Sequence, residues 1–433
     1  MLLGRETKDW DFTTNATPEE ILSLFPDSFY DNKFGTVGVP FEKSKIKNQK
    51  SKIQFKNQNL KDIFEITTFR SEQGYSDHRH PDKITWGKTV EEDLSRRDFT
   101  INAIAYDVKN LIDPFRGQED IDNKVIKAVG DPSKRFEEDA LRIMRAVRLA
   151  TQLGFIIEPT TFAAIKEKAP QIINVSGERI RDELLKILSS PYPYEGVMML
   201  KNAGLLTRIL PEVEKCFGVE QKSPGRHHIY DVGTHLLFSL KNAPTRDPIV
   251  RLATLLHDTG KAATFRKDSF GLITFYNHEL VSASIARNVG ERLKLSKKDK
   301  ERLYLLVRYH QFTVDERQTD SAVRRFIKNI GKENLEDMLA LRIGDRLGGG
   351  ARETSWRLEL FKNRLEDVQK QAFTVADLKV DGYDVMKIYD IKPGPFIGKV
   401  LDIIFNDVLE GKIKNEREQL LERLKDLKKN EGV

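Results

Sequence analysis

Asp9 and Asp11 stand two positions apart in Lys8-Asp9-Trp10-Asp11-Phe12-Thr13-Thr14. On a strand, alternation turns both carboxylates to one face. Like charges so placed repel and call for a cation. Paired carboxylate oxygens are what Mg²⁺ takes when it also grips nucleotide phosphates. Two solvated acids on a surface strand is the simpler reading of an isolated Asp-x-Asp; the company this pair keeps along the chain favours the metal. Arg96-Arg97-Asp98-Phe99-Thr100-Ile101-Asn102-Ala103 sets two arginines beside an acid and an Asn at an expected helix start. The planar fork of Arg suits triphosphate oxygens, and Asn102 suits a sugar hydroxyl or a loop carbonyl. A surface Arg pair with a helix cap is the alternative.

In Glu138-Asp139-Ala140-Leu141-Arg142, continued by Arg145 and Arg148, Asp139 and Arg142 are three apart and are expected to be helix neighbours. An intrahelical ion pair is one reading. The other is a base-reading template: Asp accepts hydrogen bonds and Arg donates them. Cytosine and adenine offer an amino donor beside a ring-nitrogen acceptor, whereas uracil and guanine present the reverse. Further on, His235, His257-Asp258, His278, His310 and Asp345 punctuate expected helices. Six of the eight histidines fall in this region, counting His227 and His228, which argues against six unrelated core residues. Imidazole with carboxylate suits Mn²⁺, Fe²⁺, Ni²⁺ or Zn²⁺ better than Mg²⁺.

The elements that must position these groups are legible in outline. Residues 1 to about 120 read as α/β. Thr17-Pro18-Glu19-Glu20 opens a helix, and Gly35 to Val39 and Ile63 to Phe69 read as strands. Between them, Lys43 to Lys61 holds seven lysines and no acid, and reads as an exposed polar excursion. From about 120 onward the pattern is helical. Phe136 to Gly154 is expected as one helix with Gly154 as its stop. Glu178 to Leu188 and Asn415 to Lys429 read as amphipathic helices, and Leu378 to Ile397 as short helices with tight turns. The 433 residues allow two to four domains. The apolar runs are too short for a bilayer, and the N-terminus carries no signal-type hydrophobic segment. The single cysteine, Cys216, excludes an internal disulfide and points to a reducing cytoplasm. A net charge of +6 leans mildly toward an anionic partner.

The stretches KDWDFTT, FEITTFR, RRDFTINA, DPFRG at 113–117, EDALRIMRAVRLA and ERIRDELLKIL at 178–188, in this order, resemble the class II CCA-adding enzymes and bacterial poly(A) polymerases. The resemblance implies an α+β nucleotidyltransferase head with a mixed sheet (1–120). An all-α neck (121–190), a helical HD domain (191–350) and a helical tail for tRNA (351–433) would follow. It implies that Asp9 and Asp11 hold Mg²⁺, with Glu65 as a third acidic strand residue. Arg97 would hold the nucleotide, Asp139 and Arg142 read the base, and Arg145 and Arg148 lie near the phosphates. Family members open with a strand and a Gly-Gly-x-Val-Arg-Asp stretch ahead of Leu-Leu-Gly-Arg. This sequence begins at Met1-Leu2-Leu3-Gly4-Arg5, so the first strand is expected to be lost. The segment Leu255 to Lys261 resembles the HD phosphohydrolases. This likeness implies His235, His257, Asp258 and Asp345 as ligands of Mn²⁺, Ni²⁺ or another divalent ion, with His278 and His310 lining the same cleft.

The implied function is template-independent repair of the 3′ CCA end of tRNA from CTP and ATP. An A-adding enzyme, a CC-adding enzyme and a poly(A) polymerase share the same fold and base-reading pair. A metal phosphohydrolase acting through the HD domain, with an impaired head, is the rival of another class. No membrane partner is expected.

Overall fold

The computed structural model describes residues 2–4, 10–32, 35–40, 63–75, 81–221, 230–312, 319–369 and 375–430. The basic excursion at 43–61 and Asp9 lie outside these. The chain divides into two compact units, Met1–Pro211 and Glu212–Val433. Among the described residues no helix is long and apolar enough to cross a membrane.

The first unit carries a mixed four-stranded sheet in the order β1-β4-β3-β2. Its strands are β1 (Asp11–Thr14), β2 (Phe29–Asn32), β3 (Thr36–Pro40) and β4 (Ile63–Thr68). β1 runs parallel to β4; the other pairs are antiparallel. The β-branched alternation of Ile63-Phe64-Glu65-Ile66-Thr67-Thr68 splits the sheet into an apolar and a polar side. Phe12 meets Phe64 edge-on at 5.4 Å, and Val37 is fully buried. Before the sheet's second strand, Thr17 caps helix Pro18–Leu24 through a reciprocal pair. Its hydroxyl accepts from the Glu20 N–H and its own N–H donates to the Glu20 carboxylate.

Helices follow for the rest of the chain. The single helix expected over Phe136 to Gly154 is two, Pro132–Glu138 and Leu141–Leu153. Asp139 breaks it with extended backbone (φ −149°, ψ 106°), and its carboxylate accepts the Leu141 N–H at 3.0 Å. A short acid competes for local N–H groups better than it serves a helix interior. Gly154 ends the second helix at φ 74°, the left-handed conformation that a glycine stop supplies. Arg96 and Arg97 do not begin a helix but close one: Arg96 caps the C-terminus of Val90–Ser95, the end where a cation complements the helix dipole.

In the second unit, helix Pro248–Leu256 is buried along almost its whole length. Helix Val232–Asn242 packs unusually close to helix Leu335–Gly348. A Cβ on Gly348 would stand 2.5 Å from the Ser239 backbone nitrogen, and one on Gly344 2.7 Å from the Ser239 carbonyl oxygen. The glycines flank Asp345 and Ser239 lies one turn beyond His235, so this close approach brings His235 to Asp345. Val385, Val400, Ile404, Leu420 and Leu424 build a separate core in the tail, under helices Gly382–Tyr389, Pro395–Leu409 and Arg417–Asn430.

Candidate active site and metal centre

Asp11 and Glu65 are cross-strand partners in the parallel β1–β4 pair, so both side chains leave the sheet on its polar side, and both residues are exposed. Thr13, two residues on, shares that face and its hydroxyl donates to the Thr67 carbonyl at 3.1 Å. The face therefore gathers hard oxygen donors, the set that suits Mg²⁺.

Between sheet and helices lies a network of arginines already held by acids. Arg96 donates to buried Asp93 at 2.7 and 3.0 Å, and Arg97 reaches the other Asp93 oxygen at 3.5 Å. Asn102 holds neither sugar nor carbonyl here: its amide donates to the Asp98 carboxylate at 3.1 Å. Arg145 donates to the other Asp98 oxygen at 2.6 Å, and Arg148 pairs with Glu183 at 2.9 Å. The expected Asp139–Arg142 neighbour pair is not formed. Arg179, forty residues on, grips Asp139 with both arms at 3.2 and 2.6 Å. Arg142 donates to the Glu138 carboxylate and to the carbonyls of Arg135 and Arg96. Three of Arg142's five N–H donors are thus engaged, leaving two.

Burial opposes charge on Asp98, yet Arg145 and the Asn102 amide hold its carboxyl below the ordinary value. A depressed folded-state value contributes stability above the unfolded pKa of about 3.9 and loses it as pH falls through the folded one. Asp98→Asn is expected to cost about 1.5–3 kcal/mol at pH 7 and to flatten the acid limb of the stability curve, read by urea titrations from pH 3 to 7.

The second unit assembles a buried cluster. His235 comes from helix Val232–Asn242, His257 and Asp258 from the end of Pro248–Leu256, and Asp345 from Leu335–Gly348. His235 Nε2 lies 3.3 Å from His257 Nε2, 3.4 Å from Asp258 Oδ2 and 3.2 Å from Asp345 Oδ1. His257 Nε2 lies 3.4 and 3.5 Å from the same two oxygens. Donors about 2.0–2.1 Å from one ion at tetrahedral angles stand about 3.3–3.4 Å apart, so the set is already spaced for a transition ion. Asp258 turns its other oxygen to His278 Nε2 at 3.2 Å and His310 Nε2 at 3.5 Å. Two buried groups of potential metal ligands thus meet on this carboxylate.

Second contacts aim the rings. His257, His278 and His310 each turn Nδ1 to a carbonyl three residues back, at 2.7–2.8 Å, which leaves Nε2 for the centre. Lys261 Nζ reaches Asp258 Oδ2 at 2.6 Å and Gln221 Oε1 at 3.0 Å. Burial works against charge on His257, but Asp258 and Asp345 lift it to about 10. A cleft of about 530 Å³ opens over the cluster, with Lys261 and Arg342 among its walls.

Three family profiles match the chain: "Poly A polymerase head domain" over 1–127, "Probable RNA and SrmB-binding site of polymerase A" over 154–217, and tRNA nucleotidyltransferase domain 2 over 275–424. The A-adding tRNA nucleotidyltransferase of Deinococcus radiodurans is 35% identical over 327 residues, 72% of this chain and 74% of that one. The chain belongs to the tRNA nucleotidyltransferase family. With the CCA-adding enzyme of Geobacillus kaustophilus it shares 42% identity over 207 residues. That match spans 47% of either protein, so it reaches about half the length of this relative. The Bacillus stearothermophilus CCA-adding enzyme in complex with CTP superposes with a TM-score of 0.67 at 27% identity, covering 99% of this chain and 91% of that structure.

Within this tRNA nucleotidyltransferase, sequence reasoning missed Arg179 as the holder of Asp139, Asp93 and Asp98 as the acids anchoring the arginines, and Lys261 as a member of the buried cluster. Arg179 lies in the ERIRDELLKIL stretch and Lys261 three residues after the His-Asp pair, so both were within quoted motifs. Their partners were not readable, being fixed by packing across 40 residues for Arg179 and, for the Asp98–Arg145 bond, across 47.

Proposed function

We propose that the chain adds or repairs the 3′-terminal CCA of tRNA from CTP and ATP without a nucleic-acid template. The observation that carries this is the Asp11–Glu65 register on the exposed face of a sheet that matches the poly(A) polymerase head. The RNA 3′-hydroxyl attacks the α-phosphorus in line. A 3′-O–P bond forms, the α–β phosphoanhydride breaks, pyrophosphate leaves and the hydroxyl proton passes to solvent. Asp9 and Asp11 are the residues to hold Mg²⁺, with Glu65 beside them; the ion supplies neutralisation of charge on the attacking and leaving oxygens. Arg97, anchored by Asp93, and Arg145 and Arg148, anchored by Asp98 and Glu183, turn their remaining donors to the nucleotide phosphates. The test is incubation with tRNA lacking CCA, tRNA ending in CC, and an unstructured oligonucleotide. Addition to the CC-ended tRNA alone would select the A-adding reading, which the Deinococcus radiodurans relative favours.

Asp139 and Arg142 read the base in this proposal. Arg179 fixes the Asp139 carboxylate so that it accepts the amino group of C or A, while a free Arg142 N–H donates to the ring nitrogen. Losing such contacts costs about 1–3 kcal/mol, roughly one to two powers of ten. Asp139→Ala and Arg179→Ala are both expected to narrow the preference for CTP and ATP over UTP and GTP by about tenfold or more. Incorporation of all four nucleotides checks it; unchanged ratios in both variants would remove the template.

A second activity is favoured by the buried cluster itself. His235, His257, Asp258 and Asp345 offer two nitrogens and carboxylate oxygens, a mixed donor set suited to Mn²⁺, Ni²⁺ or a similar ion. Such an ion lowers the pKa of bound water and polarises a phosphoryl group. The proposal is an HD-type phosphohydrolase centre in the 191–350 region, next to a tail at 351–433 that binds tRNA.

A further inference from the structure

A second cavity, about 620 Å³, adjoins the metal cleft, and the two share Gln311 and Arg342 as walls. Its other walls are Phe312, Arg346, Ser355, Trp356, Arg357 and Leu358. No carboxylate is among them, although the neighbouring cleft carries Asp258, Glu279 and Asp345. The floor is rigid: Phe312 stacks on Phe361 at 5.2 Å and packs on Phe326 at 4.8 Å. Trp356 carries the Arg357 guanidinium at 5.1 Å and still leaves 63% of its surface exposed.

Arg342 stands where the two cavities meet. One arm pairs with Asp345 at 3.0 Å, and its guanidinium lies 5.4 Å above the Phe312 ring. Its Nε is buried without a hydrogen-bond partner among the described residues, a cost normally met by a ligand or water. Arg346 follows one helical turn later on the same helix face.

We infer that this second cavity is the nucleoside pocket of the metal cleft, so that the cleft's substrate is a nucleotide: phosphate over the histidine cluster, Arg342 against the phosphate and sugar, base stacked on Trp356. The inference rests on the phosphohydrolase reading above. An acid-free pocket of arginines with an exposed indole fits an anionic aromatic ligand. A flat platform of this kind takes any base, since every base has a π-face. The same ligand chemistry arises from a free nucleoside monophosphate or from the phosphorylated end of an RNA. In either case water adds to phosphorus, the P–O bond to ribose breaks, and the ribose oxygen leaves with a proton.

The test uses the full chain with Mn²⁺ or Ni²⁺ and a base that the head rejects. GMP and a 3′-phosphorylated oligonucleotide ending in G are compared with p-nitrophenyl phosphate, which has no base. Binding is followed by quenching of Trp356 fluorescence, taken as the difference between the parent and Trp356→Phe. Trp356→Ala is expected to weaken GMP binding and raise its KM about tenfold, with p-nitrophenyl phosphate turnover unchanged. A loss confined to the oligonucleotide makes the RNA end the natural source; an equal loss for GMP makes it the free nucleotide. The pocket is overturned if Trp356→Ala leaves GMP binding intact, if it slows p-nitrophenyl phosphate equally, or if Tyr276→Ala on the metal cleft carries the effect instead. Absence of any hydrolysis with every metal removes the phosphohydrolase reading, and the fluorescence arm then decides the pocket alone.

Discussion

Asp11→Ala stops nucleotide addition and leaves the melting temperature of the chain where it was. The side chain is exposed, so its loss removes no packing. What it removes is half of the carboxylate pair that must hold a doubly charged ion against a triphosphate. The neighbouring Asp9 and the cross-strand partner Glu65 remain, but neither can replace an oxygen donor at the position of Asp11. We expect a fall of at least about a thousandfold in incorporation, about 4 kcal/mol of lost transition-state stabilisation. Asp9→Ala is expected to behave alike. Asp11→Asn separates charge from shape: it keeps the volume and one oxygen, and a residual rate well above that of Asp11→Ala would make coordination, not net charge, the larger part. Radiolabelled CTP and ATP with tRNA lacking CCA supply the rates. Incorporation near the parent rate by either Ala variant would take the pair out of the mechanism.

Asp258→Asn should have the largest effect in the second unit. This carboxylate lies within 3.5 Å of His235, His257, His278, His310 and Lys261. Lys261 is buried, and the amide leaves its ammonium with only Gln221. Breaking a buried ion pair from one side costs about 3–5 kcal/mol, because the charge left behind stays desolvated. The metal-free variant should therefore melt well below the parent, and the metal should no longer raise the melting temperature. Adding Lys261→Met should restore much of the stability, since no unpaired charge remains, while metal binding and phosphoester hydrolysis stay lost. Stability that fails to recover in the double variant would assign the cost to the histidines. Nucleotide addition, carried by the first unit, is expected to persist in the double variant.

Much of the local structure was written in the sequence. Thr17 with Glu20 foretold a helix start because a cap and its box are contacts within four residues. Gly154 foretold a helix end because only the left-handed conformation is needed there. The Asp-x-Asp, the Asp–Arg motif and the six histidine-region residues were visible as types at spacings. Even the break at Asp139 had a local cause, a short acid reaching the N–H two residues on; helical periodicity on both sides hid it.

Tertiary structure decided the partners. With 72 lysines and arginines against 66 acids, ion pairing is degenerate along the chain, and no spacing rule could match Arg179 to Asp139 or Arg145 to Asp98. Those bonds exist because helices Leu141–Leu153 and Gly177–Leu188 pack together and hold their charges where water is scarce. The metal cluster followed the same rule. Its residue types were readable one by one, but donor atoms 3.2–3.5 Å apart required two helices to meet at Gly344, Gly348 and Ser239. The nucleoside pocket had no motif at all: Trp356 and the arginines around it are ordinary surface residues until the fold sets them beside the cleft. Short-range hydrogen bonding and periodicity are encoded in neighbours along the chain, whereas side-chain convergence is a property of packed surfaces, and only folding brings those surfaces together.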